Sequence, residues 1–85
     1  MASVGEVKGA LDAAVLKIEE AQEVLHNAMA LLDEAQNMTM AALEGSGDVA
    51  GVGGHIELAK VQIIESVMVK LEAAKEANHA YQAAL

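Results

Sequence analysis

From Val4 to Ala42 the chain keeps one seven-residue apolar repeat without a break, and its 85 residues contain no proline that could interrupt it. A repeat of that period, held over more than five heptads, demands a long helix that packs along its whole length, because residues three and four apart return to one side. One row of the repeat is large: Val4, Leu11, Ile18, Leu25, Leu32 and Thr39. The row three residues later is mostly alanine: Val7, Ala14, Ala21, Ala28, Ala35 and Ala42. Val15, Met29 and Leu43 flank these rows on one side, and Val24, Leu31 and Met38 on the other. The apolar stripe is therefore wider than a two-stranded seam requires. Glu6, Asp12, Glu19, Glu20, Glu23, Asp33 and Glu34 fall on the opposite face. Ser3-Val4-Gly5-Glu6 has the S-x-x-E spacing of a capping box, which places the helix start.

A second helical pattern takes Ile56, Lys60, Ile63, Val67, Leu71, Ala74, Asn78, Tyr81 and Leu85, with Ile64 and Ala77 widening it and Glu65, Glu72, Glu76 and His79 on the other side. Val52 and Val49 extend this stripe backwards, although Gly51, Gly53 and Gly54 each cost a helix about 1 kcal/mol relative to alanine. Asp48 is then the expected N-cap and Gly45-Ser46-Gly47 the turn. Helix 1 over about 4–44 and helix 2 over about 48–85 each run ~60 Å at a rise of ~1.5 Å per residue. The expected fold is all-α: one domain, 1–85, of two long antiparallel helices in a hairpin. Each helix of a hairpin covers only one side of its neighbour. Stripes this wide call for a second copy across a two-fold axis, in a four-helix bundle. The alanine row would let one helix pair approach closely.

Charge and composition exclude several classes of partner. The net charge is −8 and Tyr81 is the only aromatic residue. Nucleic acid wants the opposite sign and stacking rings, so it is not an expected partner. Acidic or lysine residues interrupt every apolar run before the roughly 20 residues a membrane span needs, so no membrane partner is expected. With no cysteine there are neither disulfides nor thiolate metal sites. MASVGEVKG has no apolar core of a signal peptide. Cytoplasmic location is the default, with signal-independent export left open.

Three constellations could carry chemistry. Gly45-Ser46-Gly47-Asp48-Val49-Ala50 fits G-x-G-x-x-G/A literally, but that fingerprint follows a buried strand, whereas here a long helix precedes it, and Glu44 and Asp48 would repel a phosphate. Glu23-x-x-His26 and Glu76-x-x-His79 have the spacing of di-iron bundle ligands. They fall on polar faces, and in an antiparallel hairpin they stand roughly 15 Å apart along the axis. A site built from both needs a dimer. His55 reads as a surface residue. No serine, histidine and aspartate form a catalytic set: Ser3 is a cap, Ser46 a turn residue, and Ser66 lies beside the stripe. Lys60 and Asn78 sit on the apolar stripe, where a polar residue commonly sets register. No catalytic, cofactor-binding or metal-ligating residue is assigned, and no cofactor is expected.

The Ala-x-x-x-Glu-Val-Lys opening (Ala2 to Lys8), the Glu-Gly-Ser-Gly turn (Glu44 to Gly47) and the Ala-Tyr-x-Ala-x close (Ala80 to Ala84) resemble short actinobacterial alanine-rich helical-hairpin proteins of unassigned function. More distantly the chain is similar to the Trp-x-Gly helical hairpins exported by type VII secretion. That resemblance implies an antiparallel dimer. The Trp-x-Gly motif is absent, and Leu85 stands four residues after Tyr81 where the family has an acid. The expected function is a non-enzymatic helical interaction module, a homodimer or a hairpin bound to another protein. The alternative is a metal-binding bundle that uses the Glu-x-x-His pairs.

Overall fold

A computed structural model describes residues 2–44 and 49–85. Helix α1 spans Val4–Ala42. Helix α2 spans Val49–Gln62, a π-helical segment follows over Ile63–Met68, and α3 spans Val69–Ala84. The last three run on as one arm, antiparallel to α1, in a hairpin of 65 × 16 × 16 Å. The described residues contain no strand. The expected turn at Gly45–Gly47 and cap at Asp48 lie outside the described residues.

The start of α1 follows from its cap: the Ser3 hydroxyl accepts a hydrogen bond from the Glu6 backbone N–H at 3.1 Å, and the Ser3 carbonyl accepts from Val7 at 3.0 Å. The cap thus satisfies the Glu6 N–H, an otherwise unpaired donor of the first turn, and the Val7 bond is the first of the regular helical series. Gly51, Gly53 and Gly54 lie inside α2. A β-carbon added at any of the three would meet nothing within 4 Å. Within the hairpin, therefore, no close approach of another backbone explains them.

The seam between the arms uses only part of the wide α1 stripe. Leu11, Val15, Ile18, Leu25, Met29, Leu32, Thr39 and Leu43 are buried or half-buried, together with Gln22 and Gln36. Apart from the exposed Val4, these are the large row and the flank that begins at Val15. The alanine row lies at the seam edge, with Val7, Ala28 and Ala35 half-buried and Ala14, Ala21 and Ala42 exposed, and Val24, Leu31 and Met38 of the other flank are exposed. Val15 is the one buried apolar residue among those described, so the hairpin is a single layer of contacts, not an enclosed core.

On the second arm the structure departs from a continuous stripe. The half-buried row runs Gly53, Ile56, Lys60, Ile63 and then Met68, Leu71, Lys75, Asn78, Gln82, whereas Val67, Ala74, Tyr81 and Leu85 are exposed. The π segment is the cause. One extra residue enters the helical turn, so the inner row steps from Ile63 to Met68 where an α-helix would have placed Val67. The change brings Met68, Lys75 and Gln82 inward, keeps Leu71 and Asn78 there, and leaves Val67, Ala74 and Tyr81 on an outer surface.

Candidate functional site

Polar contacts fix how the arms are turned about their axes. Gln22 Nε2 donates to Glu72 Oε2 at 3.0 Å, and Gln36 Nε2 donates to Glu57 Oε2 at 3.3 Å and to the Gly53 carbonyl at 3.4 Å. Lys60 forms an ion pair with Asp33 and another, at 3.4 Å, with Glu57; it also donates to Gln36 Oε1. Lys75 pairs with Glu72 at 3.3 Å. All these contacts occupy one edge of the seam. On that side stand Asp12, Glu19, Glu23 and Asp33 of α1 and Glu57, Glu65, Glu72 and Glu76 of the second arm.

The two lysines at this edge are largely covered, with the Lys60 side chain only 16% exposed. Its hydrogen bond to Asp33 raises the Lys60 pKa, assisted by the Asp33 and Glu57 charges and opposed by partial desolvation. Glu72 is shifted below the ordinary carboxylate value, chiefly by the hydrogen bond from Gln22 and then by Lys75. Asn78 accepts from Gln82 Nε2 at 2.9 Å within the seam. Lys60 thus meets its partners at one level of the hairpin, opposite Asp33, which is the geometry a register-setting residue needs.

Antiparallel packing puts the alanine row of α1 and the corresponding rows of the second arm together on the other side. Ala14, Lys17, Ala21, Val24, Leu31, Met38 and Ala42, with the half-buried Ala28 and Ala35 at their inner margin, face the same way as Val52, Ala59, Val67, Lys70, Ala74, Ala77 and Tyr81. No acidic residue of the helices falls in these rows, which Glu20 and Glu34 border, four residues before Val24 and three after Leu31. Val24 and Leu31 are each 65% exposed, Met38 72% and Tyr81 58%. Bulky Val24, Leu31 and Met38 alternate with the alanines, a surface of knobs and shallow holes. Leu16, Met40, Ile64 and Val69 are exposed apolar residues elsewhere, separated by carboxylates on the acidic side.

Glu23, His26, Glu76 and His79 are all exposed on the acidic side, at different levels of the hairpin. Among the described residues no three His, Asp or Glu side chains are grouped closely enough to hold a metal. His55 and Ser66 are exposed, and Ser46 lies outside the described residues. Sequence reasoning missed the glutamines: Gln22 and Gln36 sit on the inner flank, and their heptad positions, level with Val15 and Met29, were the available signal. It also missed a hollow of about 220 Å³ lined by His26, Met29, Ile64 and Met68, the last at the end of the π segment and on the inner row.

No helix among the described residues is long and apolar enough to cross a membrane. No protein-family model, curated protein or solved structure matches the chain.

Proposed function

We propose that the chain is a non-enzymatic protein–protein interaction module whose partner is a second copy of itself, docked through the acid-free apolar side. The single observation that carries this reading is the amount of surface left uncovered. The hairpin exposes 5952 Å². A compact monomer of the same mass exposes about 4,800 Å², an excess of roughly 1,200 Å² for the hairpin. Stable interfaces bury about 800 Å² on each partner, so a second hairpin laid along this side covers what a dimer needs.

Charge supports a copy as the occupant. Each chain carries a net charge of −8, and face-to-face stacking on the acid-free side holds the carboxylates of both copies on the outside, where water and salt screen them. The product is a four-helix bundle in which Val24, Leu31 and Met38 fill the gaps beside opposing small residues. Sedimentation equilibrium across concentration tests the reading. The expected result is a dimer of twice the chain mass; a fully helical, cooperatively unfolding monomer down to low micromolar concentration overturns it.

A further inference from the structure

The hollow at the π segment lies on the acidic side, away from the proposed docking face, and its lining is chemically unusual. Of its four residues, three carry soft or borderline metal donors: the thioethers of Met29 and Met68 and the imidazole of His26. His26 and Met29 are three residues apart on α1 and so are neighbours on one helical face. Met68 comes from the opposite arm, at the level that the Gln22–Glu72 and Lys60–Asp33 contacts set for a residue facing His26. Met29 and Met68 are half-buried, while His26 is exposed at the rim. The fourth residue, Ile64, supplies an apolar wall.

We infer that His26, Met29 and Met68 form a binding site for a soft monovalent cation, Cu(I). Two thioethers and one imidazole suit Cu(I), which accepts low coordination numbers and prefers sulfur, and they suit poorly the harder divalent ions that want carboxylates or several imidazoles. The methionine side chains are unbranched and flexible, and the hollow leaves them room to turn their sulfurs toward a common ion. Glu23, Glu65 and Glu72 stand on the same side of the hairpin and give the approach a negative potential that favours a cation. The π segment has a specific part: an uninterrupted α-helix would have presented Val67, which has no donor, in place of Met68. Segments of this kind recur at functional sites.

The site stands apart from the proposed dimer, so the two can be tested separately. The intact protein is titrated with Cu(I) kept reduced by ascorbate, against bicinchoninate as a competing chelator, with the methionine methyl groups labelled for NMR. The expected result is one Cu(I) per chain, with the Met29 and Met68 methyl resonances shifting and those of Met38 and Met40 unmoved. The double variant Met29→Leu/Met68→Leu should bind at least tenfold more weakly with unchanged helical circular dichroism, and His26→Ala should also weaken binding. Ile64→Val, which changes the wall but no donor, should bind as the parent does. Failure of the parent to compete for Cu(I), or binding that survives the double methionine variant, overturns the assignment and leaves the two methionines as fillers of an irregular gap. A parent chain that stays monomeric but still takes up Cu(I) would count against the proposed dimer alone, and a Leu31→Asp variant that no longer dimerises but still takes up Cu(I) would support both.

Discussion

Leu31→Asp is the sharpest test of the apolar side. Leu31 is 65% exposed in the hairpin and lies midway along the alternating row of Val24, Leu31 and Met38. Full burial of a leucine is worth about 1.5–3 kcal/mol, so covering the part still in water contributes about 1–2 kcal/mol. A two-fold axis places two copies of the residue in one interface, which brings the loss to about 2–4 kcal/mol per dimer before the cost of desolvating the new carboxylates is added. At about 1.4 kcal/mol per tenfold, the dissociation constant should rise by about 30-fold to 1,000-fold. Val69→Asp is the control, because Val69 is 59% exposed but stands among carboxylates on the acidic side. Sedimentation equilibrium on the two variants and the parent, with circular dichroism to check helicity at each concentration, gives the comparison. Equal weakening by both substitutions would mean that charge alone, and not the acid-free side, governs association; no change with Leu31→Asp would remove that side from the interface.

Other consequences concern the arms themselves. Gly51→Ala and Gly54→Ala should each stabilise α2 by about 1 kcal/mol, read as a higher denaturant midpoint, since a β-carbon at either position meets nothing within 4 Å; a loss of stability would mean that the glycines admit another backbone in the assembled state. Deleting Ser66 should preserve the hairpin, because removing one residue from the π segment restores α-helical spacing between Ile63 and Met68 while the same inner rows stay in register; loss of cooperative thermal unfolding in the deletion would refute this. The lowered Glu72 pKa makes its contribution complete above the ordinary value of 4.5 and lost as pH falls through its depressed folded-state value. Glu72→Gln should therefore flatten the acid limb of stability against pH, measured by urea unfolding below pH 5. The raised Lys60 pKa acts in the alkaline range, where stability is complete below 10.5 and is lost as pH rises through the higher folded-state value; Lys60→Met should remove that alkaline dependence.

Much of the architecture was legible from residue types alone. The seven-residue repeat from Val4 to Ala42 and the Ser3 cap specify α1, because apolar periodicity and a local side-chain-to-backbone bond are properties of neighbours in the chain. The two unequal rows of α1, one large and one alanine, also announced more apolar surface than one neighbour could cover. What periodicity could not decide was which part of that surface each arm uses. A wide stripe is compatible with several rotations of the helix about its axis, and only contact with the other arm selects one: the large row from Leu11 on and the Val15 flank go inward, the alanine row lies along the seam edge with Val7, Ala28 and Ala35 half-buried, and the Val24 flank stays outside. The second arm shows the limit most plainly. Val67, Ala74 and Tyr81 keep the helical period of an inner stripe, yet the π segment turns them outward, since one extra residue in a turn re-phases everything after it at a small local cost. The separation into an acidic side and an acid-free side, the pairing of Lys60 with Asp33, and the meeting of His26 with Met68 all depend on that rotation and on the level at which the arms align. Those are properties of two helices together, and no stretch of either one contains them.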